Sequence, residues 1–189
     1  MLSEAEALKY LAKINPLKKD GPFFRRLRLA RIEPFIKDGS FDLLYALGAS
    51  SYGARFTKQG SSVRCLYVSE EELTAKAECY RLKNLSTIEL EQKATEPGCN
   101  YSVAARMEKV LDLTDGRHLN HLQIDPDEMT QEFRGAPPGT VFPSQVLGYL
   151  AFASGHFDGI KFFSAIRPGF VNYVIFRDRL KVDATIVTN

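Results

Sequence analysis

The stretch from Gly48 to Glu78, GASSYGARFTKQGSSVRCLYVSEEELTAKAE, constrains the fold more than any other. A glycine-punctuated turn delivers Arg55, a short apolar strand follows at Cys65-Leu66-Tyr67-Val68, and a helix carries the chain on to Glu78. Ser69 and Glu72 have the S-x-x-E spacing of a capping box, which predicts a helix starting at Ser69. Arg55, Tyr67 and Glu78 are thereby set on three adjoining elements. Such a set suits a cleft that holds an anionic ligand near a carboxylate.

The remaining chain supplies short elements around this unit. Ser3 and Glu6 form a second capping box ahead of an amphipathic helix over 3–13, which Pro16 and the KKDGP stretch end. Residues 23–32, FFRRLRLARI, alternate as a half-buried strand does, and any one of their arginines can be a solvated strand residue or point into a phosphate site. An Asp38-Gly39 turn precedes the apolar run Phe41–Leu47, of open type. Ser86–Lys93 and Ala104–Leu113 read as strands, separated by turn chemistry at Glu96-Pro97-Gly98-Cys99-Asn100. A helix is predicted over Asp125–Phe133, an irregular loop over 135–143, and a helix over Ser144–Ala153 stopped at Gly155. Three strand-like runs close the chain: 159–165, 170–176 and 180–188. Many short strands with few helices predict an α+β fold with a mixed or split sheet.

Composition bounds the function. At 189 residues, 44% hydrophobic and 25% charged, the chain supports one ordinary core. A net charge of +2 does not argue for nucleic acid, and no run approaches the roughly 18 apolar residues of a membrane span. The start has no signal-peptide core, and the three cysteines, at 65, 79 and 99, are odd in number and without metal spacing, so a reducing cytoplasm is the simplest expectation. His118 and His121 are three apart but lack partners for a metal set. Cys65 and Cys79 read as small buried hydrophobes. Both the G-x-G-x-x-G and GK[ST] patterns are absent, so phosphate recognition would rest on arginine forks. The pattern alone leaves open whether Glu78 faces core or solvent.

The run Gly48-Ala49 through Gly53-Ala54-Arg55 resembles the signature of RES-domain proteins, toxins of bacterial toxin–antitoxin pairs. The resemblance continues through Leu66-Tyr67, Glu78, Ser144-Gln145, Phe157–Ala165 and Asn172–Phe176, covering roughly residues 24–180. It implies an ADP-ribosyltransferase-like split sheet over 21–189, with residues 1–20 as a helical extension outside it. It also implies NAD as substrate and no metal. Glu78, Arg55 and Ser164 are its catalytic candidates; Arg31, Arg55, Tyr67, Ser164 and Gln145 are its binding candidates. Arg26 and Arg28 are alternatives to Arg31 for the first-strand arginine. Where the family has Gly-Gly-Arg-Trp-Asn, this chain has Gly53-Ala54-Arg55-Phe56-Thr57.

The implied activity is cleavage of the nicotinamide–ribosyl bond by hydrolysis or phosphorolysis, or transfer of ADP-ribose to a protein acceptor. The implied partner is a helix-turn-helix antitoxin, and the implied setting is the bacterial cytoplasm, with delivery into another cell as an alternative. A rival reading of another class is a non-catalytic module whose RRLR strand docks acidic partners.

Overall fold

The computed structural model describes residues 1–39, 42, 44, 47–83, 85–93, 95, 97–131, 136, 137, 139–180 and 183–186. In chain order, helix α1 spans Glu4–Leu11, strands β1 and β2 span Leu17–Asp20 and Phe23–Arg28, and helices α2 and α3 span Leu29–Lys37 and Leu47–Tyr52. Strand β3 (Cys65–Ser69) leads into α4 (Glu72–Tyr80), then α5 (Thr87–Lys93), β4 (Gly98–Ala104) and β5 (Arg106–Asp112). Helices α6 (Gly116–His121), α7 (Pro126–Thr130) and α8 (Pro143–Ala153) precede β6 (Gly159–Phe163), β7 (Val171–Phe176) and β8 (Asp183–Ile186).

These strands form one mixed sheet in the order β1-β5-β6-β7-β3-β2-β4-β8. Only β5 and β6 run parallel; the other neighbours are antiparallel. The expected α+β architecture is present, and the sheet does have a seam. β3 faces β7 along its whole length, from Cys65 opposite Phe176 to Ser69 opposite Asn172. It meets β2 at one pair alone, Phe24 opposite Ser69. Among the described residues the two strands therefore touch only where the chain leaves β3 for α4, and β3 from Cys65 to Val68 is unpaired on that side.

β3 lies inside the sheet and is buried on both faces, which is why it reads as an apolar run. On one face Cys65, Val174, Phe176, Ile160 and Phe162 pack with Leu147, Leu150 and Ala151 of α8 and with Ala7 and Leu11 of α1. On the other, Leu66, Val68, Tyr173 and Ile175 pack with Phe23, Tyr101 and Val103. Gly148 lets α8 press onto the turn before β3, because a Cβ there would stand 2.1 Å from the Phe56 carbonyl oxygen.

Several local expectations are corrected. Residues 17–20, expected in a helical extension outside the sheet, form its edge strand and pair with β5. The strand expected over 23–32 ends at Arg28, and Leu29, Ile32 and Ile36, at helical spacing, belong to α2. Ser69 is no cap: it is the last residue of β3, and α4 starts at Glu72 behind Glu71. Ser86–Lys93 is not a strand but contains α5, since Ser86 and Glu89 exchange the two bonds of a capping box. Gly98–Asn100, expected in a turn, pair with Arg28–Arg26 as the start of β4. The strand expected over 104–113 breaks at Ala105, between β4 and β5.

The predicted helices 3–13, 125–133 and 144–153 appear as α1, α7 and α8, and Gly155 past α8 has φ +69°. Phe41, Leu43, Tyr45, Ala46, Glu96, Glu132, Phe133, Gly135, Pro138, Lys181, Val182, Val187 and Thr188 lie outside the described residues.

Candidate active site

The β3–α4 connection carries Glu78 to a half-buried position near the ends of β3 and β6. Two side chains hold one of its oxygens. The Ser164 hydroxyl and the Asn172 amide each donate to Oε1 at 2.6 Å. No described residue donates to Oε2. Ser164 follows β6 and is only 2% exposed, and its oxygen also accepts from the backbone N–H groups of Ile166 (3.1 Å) and Arg167 (2.9 Å). A hydroxyl has one hydrogen and two lone pairs, so this one is fully engaged. Asn172 lies opposite Ser69 in the ladder, and the Ser69 hydroxyl donates to its Oδ1 at 2.7 Å.

The turn after Ser164 is fastened to α4. The Arg167 guanidinium donates to Thr74 Oγ1 at 2.8 Å and to Glu71 at 3.3 Å, with the Phe170 ring 3.7 Å beneath it. Thr74 stands one turn before Glu78 and so shares its helix face. The turn after β6 and strand β7 thus converge on one carboxylate of α4.

Tyr67 sits two residues before Ser69, so both project from the same face of the sheet, about 7 Å apart along the strand. Its hydroxyl accepts from the Phe56 N–H at 2.9 Å and shares a hydrogen bond of 3.0 Å with Thr57 Oγ1. Burial pushes the Tyr67 phenol far above its usual range, so it stays protonated. Gln145, near the start of α8, donates to the Ala54 carbonyl at 3.1 Å, and Ala54 and Thr57 bond each other across the turn. Arg55 donates to the carbonyls of Met129 and Gln131, at the end of α7. The Phe56-Thr57 pair found where the family has Trp-Asn is buried, with Phe56 against Phe162 at 4.8 Å between ring centres.

The expected site residues therefore fall into two groups. Glu78 and Ser164 are in direct contact, joined by Asn172. Tyr67, Arg55 and Gln145 gather around the 54–57 turn on the same side of the sheet. Arg31 is in neither group, and its expected place on the first strand is corrected: it is exposed on α2. The strand arginines instead reach the end of α4. Arg26 Nε donates to the Tyr80 hydroxyl at 3.1 Å, Arg28 Nε to the Cys79 carbonyl at 3.3 Å, and both guanidinium groups lie over the Tyr80 ring. Tyr80 and Glu78 are two apart and project from different helix faces.

Among the described residues no group of three His, Cys, Asp or Glu gathers as metal ligands would. His118 and His121 both engage Tyr10 of α1, the first through a 2.9 Å hydrogen bond and the second by stacking at 3.9 Å. No helix among the described residues is long and apolar enough to cross a membrane.

The family model of the RES domain matches residues 28–188. The chain belongs to the RES-domain family. Its fold is similar to that of a chain in the crystal structure of the M. tuberculosis MbcT–MbcA toxin–antitoxin complex, with a TM-score of 0.62 and 15% identity over 96% of this chain and 92% of that one. A search of curated proteins gave no match. Arg28, Arg31, Arg55, Glu78 and Ser164 lie inside the matched stretch, and Arg26 lies before it.

Two members of this cluster have no role assigned from sequence: Ser69 has the spacing of a capping motif, and Asn172 lies in a strand and in the family resemblance. Their signal is a polar residue at a position of an apolar strand (LYVS, VNYVIF) that proves 3% and 5% exposed. Buried polar side chains require partners, and these two find each other.

Proposed function

We propose that this RES domain cleaves the nicotinamide–ribosyl bond of NAD, draining the dinucleotide as a toxin restrained by a partner protein. The observation that carries this reading is the asymmetric hold on Glu78: among the described residues both hydrogen bonds fall on Oε1, which leaves Oε2 to meet a ligand. Bond cleavage sends the electron pair out with nicotinamide and develops positive charge on the ribosyl ring, as in glycoside cleavage. Glu78 Oε2 stabilises that charge from a fixed position and orients the oxygen of water or phosphate that bonds to the same carbon. Ser164, whose hydrogen is committed to Glu78, acts by holding the carboxylate. Arg55, with a guanidinium from β2 or α2 (Arg26, Arg28 or Arg31), meets the pyrophosphate, and Tyr67 with Gln145 shapes the wall beside it.

RES-domain membership and the fold shared with a toxin–antitoxin complex support the toxin role, a neutralising antitoxin and action in a bacterial cytoplasm. Incubation with NAD should release nicotinamide, and Glu78→Ala should abolish release. Varying phosphate separates hydrolysis from phosphorolysis. Label from NAD appearing on a protein instead would replace this reading with ADP-ribosyl transfer. NAD left intact with and without phosphate, and no labelled protein, would leave a binding module.

A further inference from the structure

Glu78 is held by two donors of different kinds. Ser164 lies in a turn whose backbone fixes its hydroxyl through two N–H donors, so that bond needs nothing further. Among the described residues no backbone group bonds the Asn172 side chain, which is held by Ser69 and Glu78. A side-chain amide offers an NH2 on one side and a carbonyl on the other, and a half-turn about its last bond would present the wrong end to a carboxylate. What selects the productive end is Ser69, which stands opposite Asn172 in the ladder and donates to Oδ1 at 2.7 Å. With the carbonyl occupied, the NH2 faces Glu78 Oε1 at 2.6 Å. Ser69 and Asn172 are 3% and 5% exposed, so water does not compete for either end.

We infer that Asn172, oriented by Ser69, is a positioning residue that turns Glu78 so that Oε2 is the oxygen presented to substrate. The relay runs across the β3–β7 ladder from the strand that leads into α4 to the side chain that α4 carries. A shift of β3 against β7 would therefore release the carboxylate. The catalytic meaning rests on the proposed role of Glu78; the geometry does not.

The test uses thermal melts and kinetics on the full chain. Asn172→Asp keeps the shape, removes the donor and sets a second carboxylate against Glu78. Two carboxylates at this distance raise the upper titration of the pair. Stability is then retained below the ordinary carboxylate range and lost as pH rises through the raised value. The other charges around α4, on Arg26, Arg28, Arg31, Arg167 and Glu71, are the same in parent and variant. Asn172→Asp should thus melt well below the parent at pH 8 and close to it at pH 5. Adding Glu78→Gln to the same chain should restore the pH 8 melt, because a glutamine NH2 can donate to the new carboxylate. Ser69→Ala should lower the melt in the native background and less so in Glu78→Gln, which accepts either end of the amide, while Ser69→Thr keeps the hydroxyl and rescues.

In turnover, Asn172→Ala should lower kcat on the order of a hundredfold with KM little changed, the expected size for a misplaced reacting group. Equal melting losses with and without Glu78→Gln, in both series, would overturn the inference whatever the turnover; if Asn172→Asp does not fold at any pH, the Ser69 series decides alone. Wild-type protein that leaves NAD intact would sink the proposed function and leave these melts standing.

Discussion

The carboxylate cluster and the 54–57 turn share one face of the sheet but are built from different bonds. Around Glu78, side chain meets side chain: Ser164 and Asn172 on the carboxylate, Ser69 behind Asn172. Around the turn, side chains mostly meet backbone: Tyr67 on the Phe56 N–H, Gln145 on the Ala54 carbonyl, Arg55 on the carbonyls of Met129 and Gln131, beside one side-chain pair, the hydroxyls of Tyr67 and Thr57. Bonds to backbone fix the course of the chain. Bonds between side chains fix the aim and charge of particular atoms. Under the proposed function, the first region is the reacting centre and the second its wall.

That distinction predicts a ranking. Glu78→Gln should cost the most in turnover, about 10² to 10⁴ in kcat, with little change in melting, because glutamine keeps the shape and can still accept at one atom. Ser164→Ala should come next and differ in kind. It removes a donor to Glu78 and leaves the N–H groups of Ile166 and Arg167 without an acceptor, so activity and stability should fall together, the latter by about 1–3 kcal/mol. Steady-state kinetics beside denaturant melts separates the two. If Ser164→Ala lost activity at unchanged stability, its hydroxyl would have to be reassigned from holding Glu78 to touching substrate.

Much of the frame was legible because β3, β6 and β7 are apolar runs bounded by turn residues, and because α1 and α8 combine start signals with buried faces. The failures arise where two local patterns compete and spacing alone does not choose between them. Ser69 and Glu72 have capping-box spacing, yet Ser69 is drawn into the ladder by Asn172 and the helix begins three residues later. Ser86 and Glu89 have the same spacing and do cap, although the alternation that follows suggested a strand. The alternation of arginines and apolar residues up to Arg31 suggests a strand, but the helical spacing of Leu29, Ile32 and Ile36 takes over at Leu29. At the site, Glu78 and Ser164 were reachable from sequence, 86 residues apart, only through the family resemblance. The Ser69–Asn172 pair was not reachable, because cross-strand register is not written in either strand alone.

The wall can be stressed without touching the carboxylate. Gly148→Ala would place a methyl group 2.1 Å from the Phe56 carbonyl oxygen, backbone against a stiff helix, so α8 or the turn must move. Overpacking of this kind costs about 1–3 kcal/mol. The expected result is a lower melt and a raised KM, with kcat nearly kept because the Glu78 contacts lie elsewhere. A fall in kcat as large as that of Glu78→Gln would mean that the two regions are mechanically one.

The smallest effect, and the sharpest test of the contrast, is expected from Tyr67→Phe. The ring stays, and the hydroxyl leaves behind the Phe56 N–H and the Thr57 hydroxyl, the latter on a residue 2% exposed. Losing a partner for a buried donor costs about 1–3 kcal/mol, but here the Ala54–Thr57 bonds remain to hold the turn, so the low end, about 1 kcal/mol, is expected. In a chain of this size that corresponds to roughly 2–4 °C in Tm. Because the phenol stays protonated, parent and variant should show the same pH profile of turnover, displaced only in height and by a few-fold at most. A flat Tm joined to a collapse in kcat would move Tyr67 from the wall into the chemistry, since only a hydroxyl that meets the reacting atoms could matter so much while supporting so little.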